Sequence, residues 1–309
     1  MAVICITGGN GMIGKKLTVH LVDKGHQVII LSRKTSKSSS NNVVYKQWDL
    51  QRKYIDPEAL INTNVIIHLA GANVAEKRWT SKRKKEILSS RTDSGKLLIH
   101  ALQTLPHKVH TIITASAIGW YGPDQGKVFT EEMSAHTDFL GSTCKAWEES
   151  LHPAIEMGIR LTTLRIGIVM ANEGGALAEF IKPVRLGIAP ILGSGKQIIS
   201  WIHIEDLCRM IEFVIHHPEV SGIYNASTPF PVSNKELMLQ LAQLTRRLFI
   251  PIHVPAFLLK LVLGEMSIEV LKSCTTSSEK IRQAGFQFLY PSVETALAAL
   301  INSQGSTRQ

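Results

Sequence analysis

The chain is short of cysteine, short of acids and without any long apolar run. Cys5, Cys144, Cys208 and Cys274 are the only cysteines in 309 residues. No two of them form a CxxC pair, so neither a zinc knuckle nor a disulfide framework is available, and a reducing, cytoplasmic setting is expected. No charged leader with an apolar stretch precedes Val3, and nowhere do the roughly 18 apolar residues of a bilayer-crossing helix follow one another. No membrane partner is expected. There is no GxSxG elbow, no GxxxxGK[ST] loop and no HExxH helix, which removes the hydrolase, nucleoside triphosphatase and metalloprotease readings. The 12 histidines, His216 and His217 included, lack metal-ligand spacing, so no metal is expected.

The shortage of acids, 25 Asp+Glu against 34 Lys+Arg, leaves a net charge of +9. A polyanionic partner is one reading of that balance. The densest cluster, Lys82-Arg83-Lys84-Lys85, has no interleaved aromatics and reads as a solvated helix face, so no nucleic acid is expected. Smaller basic groups remain available for a phosphorylated cofactor.

What the chain does have is alternation. Short β-branched runs at 3–6, 27–31, 43–47, 65–69 and 111–115 read as strands, with amphipathic stretches at 13–24, 79–105 and 143–157 between several of them. This order implies a parallel sheet covered on both faces, an α/β fold. A sixth run spans 161–169. From about Ala171 the pattern changes to glycine-rich loops, one more strand and helix at 198–215, and helices broken by Pro229, Pro231, Pro251 and Pro255. Residues 1–172 are expected to form one domain and 173–309 a smaller mixed α/β domain on the substrate side, with about 196–226 returning to the first sheet.

Directly after the first strand comes Thr7-Gly8-Gly9-Asn10-Gly11-Met12-Ile13-Gly14, then a helix. Glycine is needed where the backbone takes positive φ and where it must approach a pyrophosphate without a side chain between them. The helix that follows turns its unpaired N–H groups toward that phosphate. The second strand ends in Ser32-Arg33-Lys34, where an NAD-binding chain would place an acid for the ribose 2′-hydroxyl. A hydroxyl with cations suits a 2′-phosphate instead, because guanidinium grips phosphate through two hydrogen bonds. NADP(H) is therefore expected as the cofactor. Residues 35–42 read either as a polar loop over that site or as a plain surface linker. Asp49 is a candidate acceptor for the adenine amino group, or a turn cap.

"TGGNGMIG" at 7–14, "HLAGANV" at 68–74, "SAIGWYG" at 116–122 and "SWIHIEDL" at 200–207 resemble the extended short-chain dehydrogenase/reductases, which include sugar-nucleotide epimerases. The likeness spans nearly the whole chain. "KRWT", "CKAWE", "LRIGIVM", "GGAL", "LGEM" and "GFQFLYP" in that order narrow it to the "epimerase family protein" subgroup, related to NAD-dependent epimerase/dehydratases and carrying a short C-terminal domain of its own. The resemblance implies a Rossmann, doubly wound core. In it Gly8, Gly11, Met12, Ile13, Gly14, Ser32, Arg33 and Asp49 would surround phosphates and adenosine. Leu69, Ala70 and Gly71 would line the cofactor, and Ile166, with Arg165 and Gly167, would pass near the nicotinamide. A homodimer through the helices beginning at Trp79 and after Gly141 is also implied.

The same resemblance sets a difficulty. Catalysis in the family rests on a serine or threonine that holds the substrate oxygen, a tyrosine that moves its proton, and a lysine four residues later, so that tyrosine and lysine share a helix face. Ser116 and Lys145 are the candidate catalytic residues here, but Gly141 stands where the tyrosine belongs. None of Tyr45, Tyr54, Tyr121, Tyr224 and Tyr290 has a lysine at i+4. Tyr121 is the one tyrosine placed near the nicotinamide. The arginine that grips a sugar nucleotide's diphosphate is replaced by Ile199 and Ser200, leaving Lys182, Arg185 and Lys196 as possible substitutes. Two readings follow: an NADP(H)-dependent oxidoreductase or epimerase with altered proton handling and an unidentified small-molecule substrate, or a non-catalytic NADP(H)-binding protein that senses redox state for a partner.

Overall fold

A computed structural model describes residues 1–34, 42–124, 126–245 and 248–306. In chain order the elements are β1 (Val3–Thr7), α1 (Met12–Asp23), β2 (Gln27–Ser32), β3 (Val43–Asp49), β4 (Tyr54–Ile55), β5 (Val65–His68), α2 (Ser81–Thr104), β6 (Thr111–Ala117), α3 (Phe139–Glu149), α4 (Pro153–Glu156), β7 (Arg160–Ile166) and β8 (Ile168–Met170). There follow α5 (Gly175–Arg185), β9 (Ile188–Leu192), β10 (Ile198–Ile199), β11 (Trp201–His203), α6 (Ile204–His216), β12 (Gly222–Ala226), β13 (Val232–Ser233), α7 (Asn234–Leu244), β14 (Ile250–Val254), α8 (Ala256–Leu263), α9 (Ser267–Leu271), α10 (Glu279–Gln283) and α11 (Val293–Ser306).

The main sheet runs β12-β7-β6-β5-β1-β2-β3-β4, parallel throughout except for the β3–β4 pair. This is the Rossmann, doubly wound arrangement, and the chain reverses its direction of travel across the sheet between β1 and β5. A ligand crevice opens at such a reversal, outside the carboxyl ends of the strands. The central strands are buried on both sides, every residue of β5 and all but one of β6, which is why they carry β-branched and small residues without a charged, solvent-facing alternation.

Local chemistry sets the boundaries. Thr80 caps α2 by accepting from the Arg83 N–H at 3.2 Å, and Asp138 caps α3 by accepting from the Gly141 N–H at 2.7 Å. The expected strand at 161–169 is two strands, because the chain turns at Gly167 and β8 leaves the main sheet to pair with β11. A Cβ on Gly167 would stand 2.8 Å from the Ser200 carbonyl oxygen, so only glycine allows that turn. The expected helix at 143–157 begins four residues earlier, at the Asp138 cap, and is interrupted before Pro153.

Two smaller two-stranded sheets, β10–β13 and β9–β14, stand apart from the main one. The chain then folds back. Residues 273–277 lace between 124–129 and 198–200 through bridges Phe129–Thr276 and Ile199–Cys274, and the fully buried carboxylate of Asp206 on α6 accepts the N–H groups of Leu289 and Tyr290, each at 2.8 Å. Among the described residues no helix is long and apolar enough to cross a membrane.

Candidate functional site

The turn between β1 and α1 is built by close backbone approach. Gly8 has φ +71°, and a Cβ there would stand 2.8 Å from the Leu69 carbonyl group; one on Gly14 would stand 2.4 Å from the Gly8 oxygen. The Gly11 N–H closes the turn on the Gly8 oxygen at 2.9 Å. Gly11 is also the N-cap of α1, no side chain caps that helix, and its first turn holds no acid. Its leading N–H groups and positive dipole end are thus available to an anion. Met12 lies against Gly174 and Gly175, while Ile13 is half-buried against the core.

A hydrogen-bond chain fixes this turn to the end of β5. Thr7 Oγ1 accepts from the Leu69 and Ala70 N–H groups, both at 3.2 Å, and so gives its own proton to His68 Nδ1 at 2.8 Å. His68 Nε2 then donates to Ser94 Oγ at 3.2 Å, which donates to the Arg91 carbonyl at 2.9 Å. Burial, helped by the Arg91 guanidinium, pushes the His68 pKa down to about 3, so the ring is neutral and this tautomer is fixed. Gly71, exposed, has a neighbour of its own: a Cβ there would meet the Arg91 guanidinium carbon at 3.0 Å, so packing on Arg91 favours glycine here alongside the ligand approach expected for it.

Ser32 closes β2 with its Oγ accepting from Asn10 Nδ2 at 3.2 Å and from the Lys34 N–H at 3.4 Å, which draws the end of β2 onto the glycine turn. Arg33 follows it, exposed. Residues 35–41, expected as a loop over this spot, lie outside the described residues, and Asn42 alone of that stretch is described. Asp49 is corrected: its Oδ1 accepts the Gln51 and Arg52 N–H groups at 2.8 and 3.1 Å. It caps the β3–β4 turn, the second of its two readings.

The catalytic candidates separate. Ser116 is buried and donates its proton to Glu148 Oε1 at 2.6 Å, so its hydroxyl belongs to the interior, against expectation. Lys145 is on the open side of α3, with its side chain 59% exposed and its Nζ 3.9 Å from Glu149. Gly141 shares that face but is buried, because the chain at His136 crosses directly over it; a Cβ at 141 would stand 2.1 Å from the His136 carbonyl oxygen. The space of a tyrosine side chain is filled by backbone. His136 is held there by its N–H on the Trp120 oxygen at 2.7 Å. Its Nδ1 lies 3.2 Å from the Asp138 N–H and 3.0 Å from Asp138 Oδ2, and its ring lies against Gly122.

Sequence reasoning missed what stands behind this face. Arg165 Nε and Nη2 grip the two oxygens of Glu148, both at 3.0 Å, with both side chains almost wholly buried. The guanidinium is covered by the Trp120 ring at 3.6 Å and donates through Nη1 to Tyr121 Oη and the Glu131 carbonyl oxygen, both at 3.1 Å. Tyr121 passes its proton to Asn225 Oδ1 at 2.7 Å, and burial raises its pKa to about 12. Tyr121 is therefore a member of the interior network. The signal in the sequence was Arg165 inside the strand-like stretch "TTLRIGIV", which otherwise carries no charge. Ile166, next to Arg165, is buried at the end of β7 beside Ala117 and Ala226.

The place of the diphosphate-gripping arginine is also occupied. Ser200 is fully buried and accepts the Thr276 N–H at 3.0 Å. Of the substitutes, Lys182 pairs with Glu179 on its own helix at 2.6 Å. His203 Nδ1 accepts the Glu205 N–H at 3.1 Å while its ring rests on Tyr290 at 4.0 Å, and burial lowers its pKa to about 4. Among the described residues no cluster of His, Cys, Asp and Glu suits a metal ion.

A Rossmann sheet with a glycine turn at its reversal point defines the class, and the comparisons give the family. The NAD dependent epimerase/dehydratase family matches residues 4–227, and a domain of unknown function, DUF1731, matches 254–300. The chain belongs to the NAD dependent epimerase/dehydratase family. It is 37% identical to the epimerase family protein YfhF of Bacillus subtilis over 96% of this chain and 97% of that one, and 32% identical to the epimerase family protein Mb2239 of Mycobacterium bovis over 96% of each. The human epimerase family protein SDR39U1 (isoform 2), solved with NADPH, matches with a TM-score of 0.85 and 25% identity over 97% of this chain and 99% of that one. The UDP-glucuronic acid 4-epimerase of Bacillus cereus, solved with UDP-glucuronic acid and NAD, shares the fold at a TM-score of 0.81 and 17% identity over 99% of each.

Proposed function

We propose that this chain binds NADP(H) across the glycine turn and acts as an oxidoreductase or epimerase on a small molecule. The observation that carries the reading is the turn itself, where Gly8 and Gly14 bring backbone against backbone and leave the amino end of α1 without a side-chain cap. Ser32, tied to that turn, and Arg33 beside it favour a 2′-phosphate, and the human relative solved with NADPH supports the same choice. When bound, the cofactor supplies the hydride. The chain supplies Lys145, on the open face of α3, for the ribose. For the proton we assign His136, whose main chain fills the tyrosine's place and whose imidazole is steadied by Asp138. General acid–base assistance is worth about 10²–10⁴ in rate.

The second reading, an NADP(H)-binding protein without turnover that reports redox state to a partner, draws on the burial of Ser116 and the closure over Gly141. The two are separated by titrating NADPH and NADH and then following transfer of deuteride from 4-deuterated NADPH to a broad panel of aldehydes, ketones and quinones. Tight NADPH binding with transfer to at least one carbonyl, slowed in Lys145→Ala, supports the enzyme. Binding without transfer to any of them, with Lys145→Ala altering affinity alone, supports the sensor. Absence of NADPH binding sinks both.

A further inference from the structure

We propose that α8 and the adjoining β9–β14 edge form a docking surface for an anionic membrane. Helix α8, Ala256-Phe257-Leu258-Leu259-Lys260-Leu261-Val262-Leu263, is almost entirely apolar, yet no residue in it is buried. Phe257, Leu258, Leu261 and Val262 fall on one side at i and i+4 spacing, with Phe257 72% and Leu261 70% exposed. Leu259 and Leu263 on the other side are half-buried. The apolar surface continues onto the strand before the helix, where Ile250 is 68% exposed and pairs with Ile188 of β9, itself exposed. Leu248 and Leu186, exposed at 98% and 80%, flank that pair. Exposed apolar side chains gathered on adjoining elements of a globular chain mark an interaction site.

Charge selects the occupant. Along the described stretches that carry the surface, 180–204 holds Lys182, Arg185 and Lys196, 248–264 holds Lys260, and neither holds an Asp or Glu. Three acids flanking these stretches are held in ion pairs, Glu179 with Lys182, Glu205 with Lys16 and Glu265 with Lys84. Lys260 stands on the flank of α8, and Arg185 and Lys196 are exposed beside β9. A second copy docking by the same patch would set like charges against each other, since a two-fold interface is made of one surface used twice. An anionic bilayer accepts both features at once: apolar side chains enter the headgroup boundary, while cations, lysine stems included, reach the phosphates. The expectation of no membrane contact came from counting runs long enough to cross a bilayer, a count that a helix lying in the surface plane escapes.

The test is co-sedimentation of the full chain with vesicles of phosphatidylcholine alone and of phosphatidylcholine with phosphatidylglycerol in equal parts. Binding is expected to the second and to be at least about tenfold weaker to the first. It is also expected to weaken when ionic strength rises from about 0.1 M to about 1 M, which shortens electrostatic reach from about 10 Å to about 3 Å. Phe257→Ser with Leu261→Ser should abolish it, and Lys260→Glu, which leaves the apolar face intact, should reduce it, with NADPH affinity and circular dichroism unchanged in all variants. Four results overturn the proposal: no pelleting with either vesicle, equal pelleting with both, pelleting that both variants leave untouched, or a dimer in sedimentation velocity that the serine variant breaks. None of these outcomes bears on the cofactor reading.

Discussion

Glycine builds both ends of the crevice, and it does opposite things at each. At the turn after β1, Gly8 and Gly14 allow backbone to pack on backbone, and the result is a row of N–H groups turned outward. At the start of α3, Gly141 also meets backbone, but the carbonyl of His136 lies on top of it and the space is consumed. One glycine pair prepares a seat; the other glycine fills one. The family tyrosine is thus absent along with its room, and the buried Glu148–Arg165 pair keeps that end in its present shape.

The largest test of this contrast is Glu148→Ala. It leaves the Arg165 guanidinium buried without its carboxylate and should cost about 3–5 kcal/mol, read from the denaturant midpoint. A double variant, Glu148→Met with Arg165→Met, should recover much of that loss. If the single variant were as stable as the parent, the pair would not be what shapes the closed end.

Next in size is Gly141→Tyr. Overpacking typically costs about 1–3 kcal/mol, and no gain in hydride transfer is expected because the ring has no space to reach the crevice. Were transfer to rise toward the 10²–10⁴ that a general acid supplies, the comparison would break.

Acid acts on the open end. His68 and His203 have pKa values of about 3 and about 4, below the ordinary 6.5. The unfolded chain therefore binds more protons between those values and 6.5, so stability is complete above 6.5 and falls as pH drops, by at most about 1.4 kcal/mol per unit for each ring. Since His68 bonds to Thr7, NADPH affinity should decline over the same range. A flat stability profile from pH 7 to 4.5 would show that these rings are not buried neutral.

The effect confined to cofactor choice is that of Arg33→Ala. Loss of a charged hydrogen bond is worth about 1.5–3 kcal/mol, so preference for NADPH over NADH should shrink by roughly tenfold or more while folding is untouched. Unchanged preference would remove the 2′-phosphate assignment.

The open end was legible in the sequence because its parts are contiguous: strand, glycines and helix follow within 8 residues of one another along 7–14. Ser32 and Arg33 were found by their distance from that turn. The closed end was not legible, since Glu148, Arg165, Tyr121, Asn225 and Glu131 come from five separate segments and only the fold joins them. Ser116 was misplaced for the same reason, its hydroxyl being claimed by a carboxylate 32 positions away. Asp49 carried two meanings in the string, and only the hydrogen-bonded turn chose between them. The exposure of α8 was invisible too, because a helix with seven apolar residues in eight reads as core until its outer face is seen to be exposed.

The Asp206 carboxylate pairs with Arg209 on its own helix and also accepts amide groups from Leu289 and Tyr290, 83 and 84 positions further on. A ribosome releases the chain from the amino terminus onward, so α6 and its interior anion emerge well before the amides that complete that anion's hydrogen bonds. Until those amides arrive the carboxylate has Arg209 and water as partners, and a chain cut short of Leu289 would hold α6 less firmly however complete its sheet.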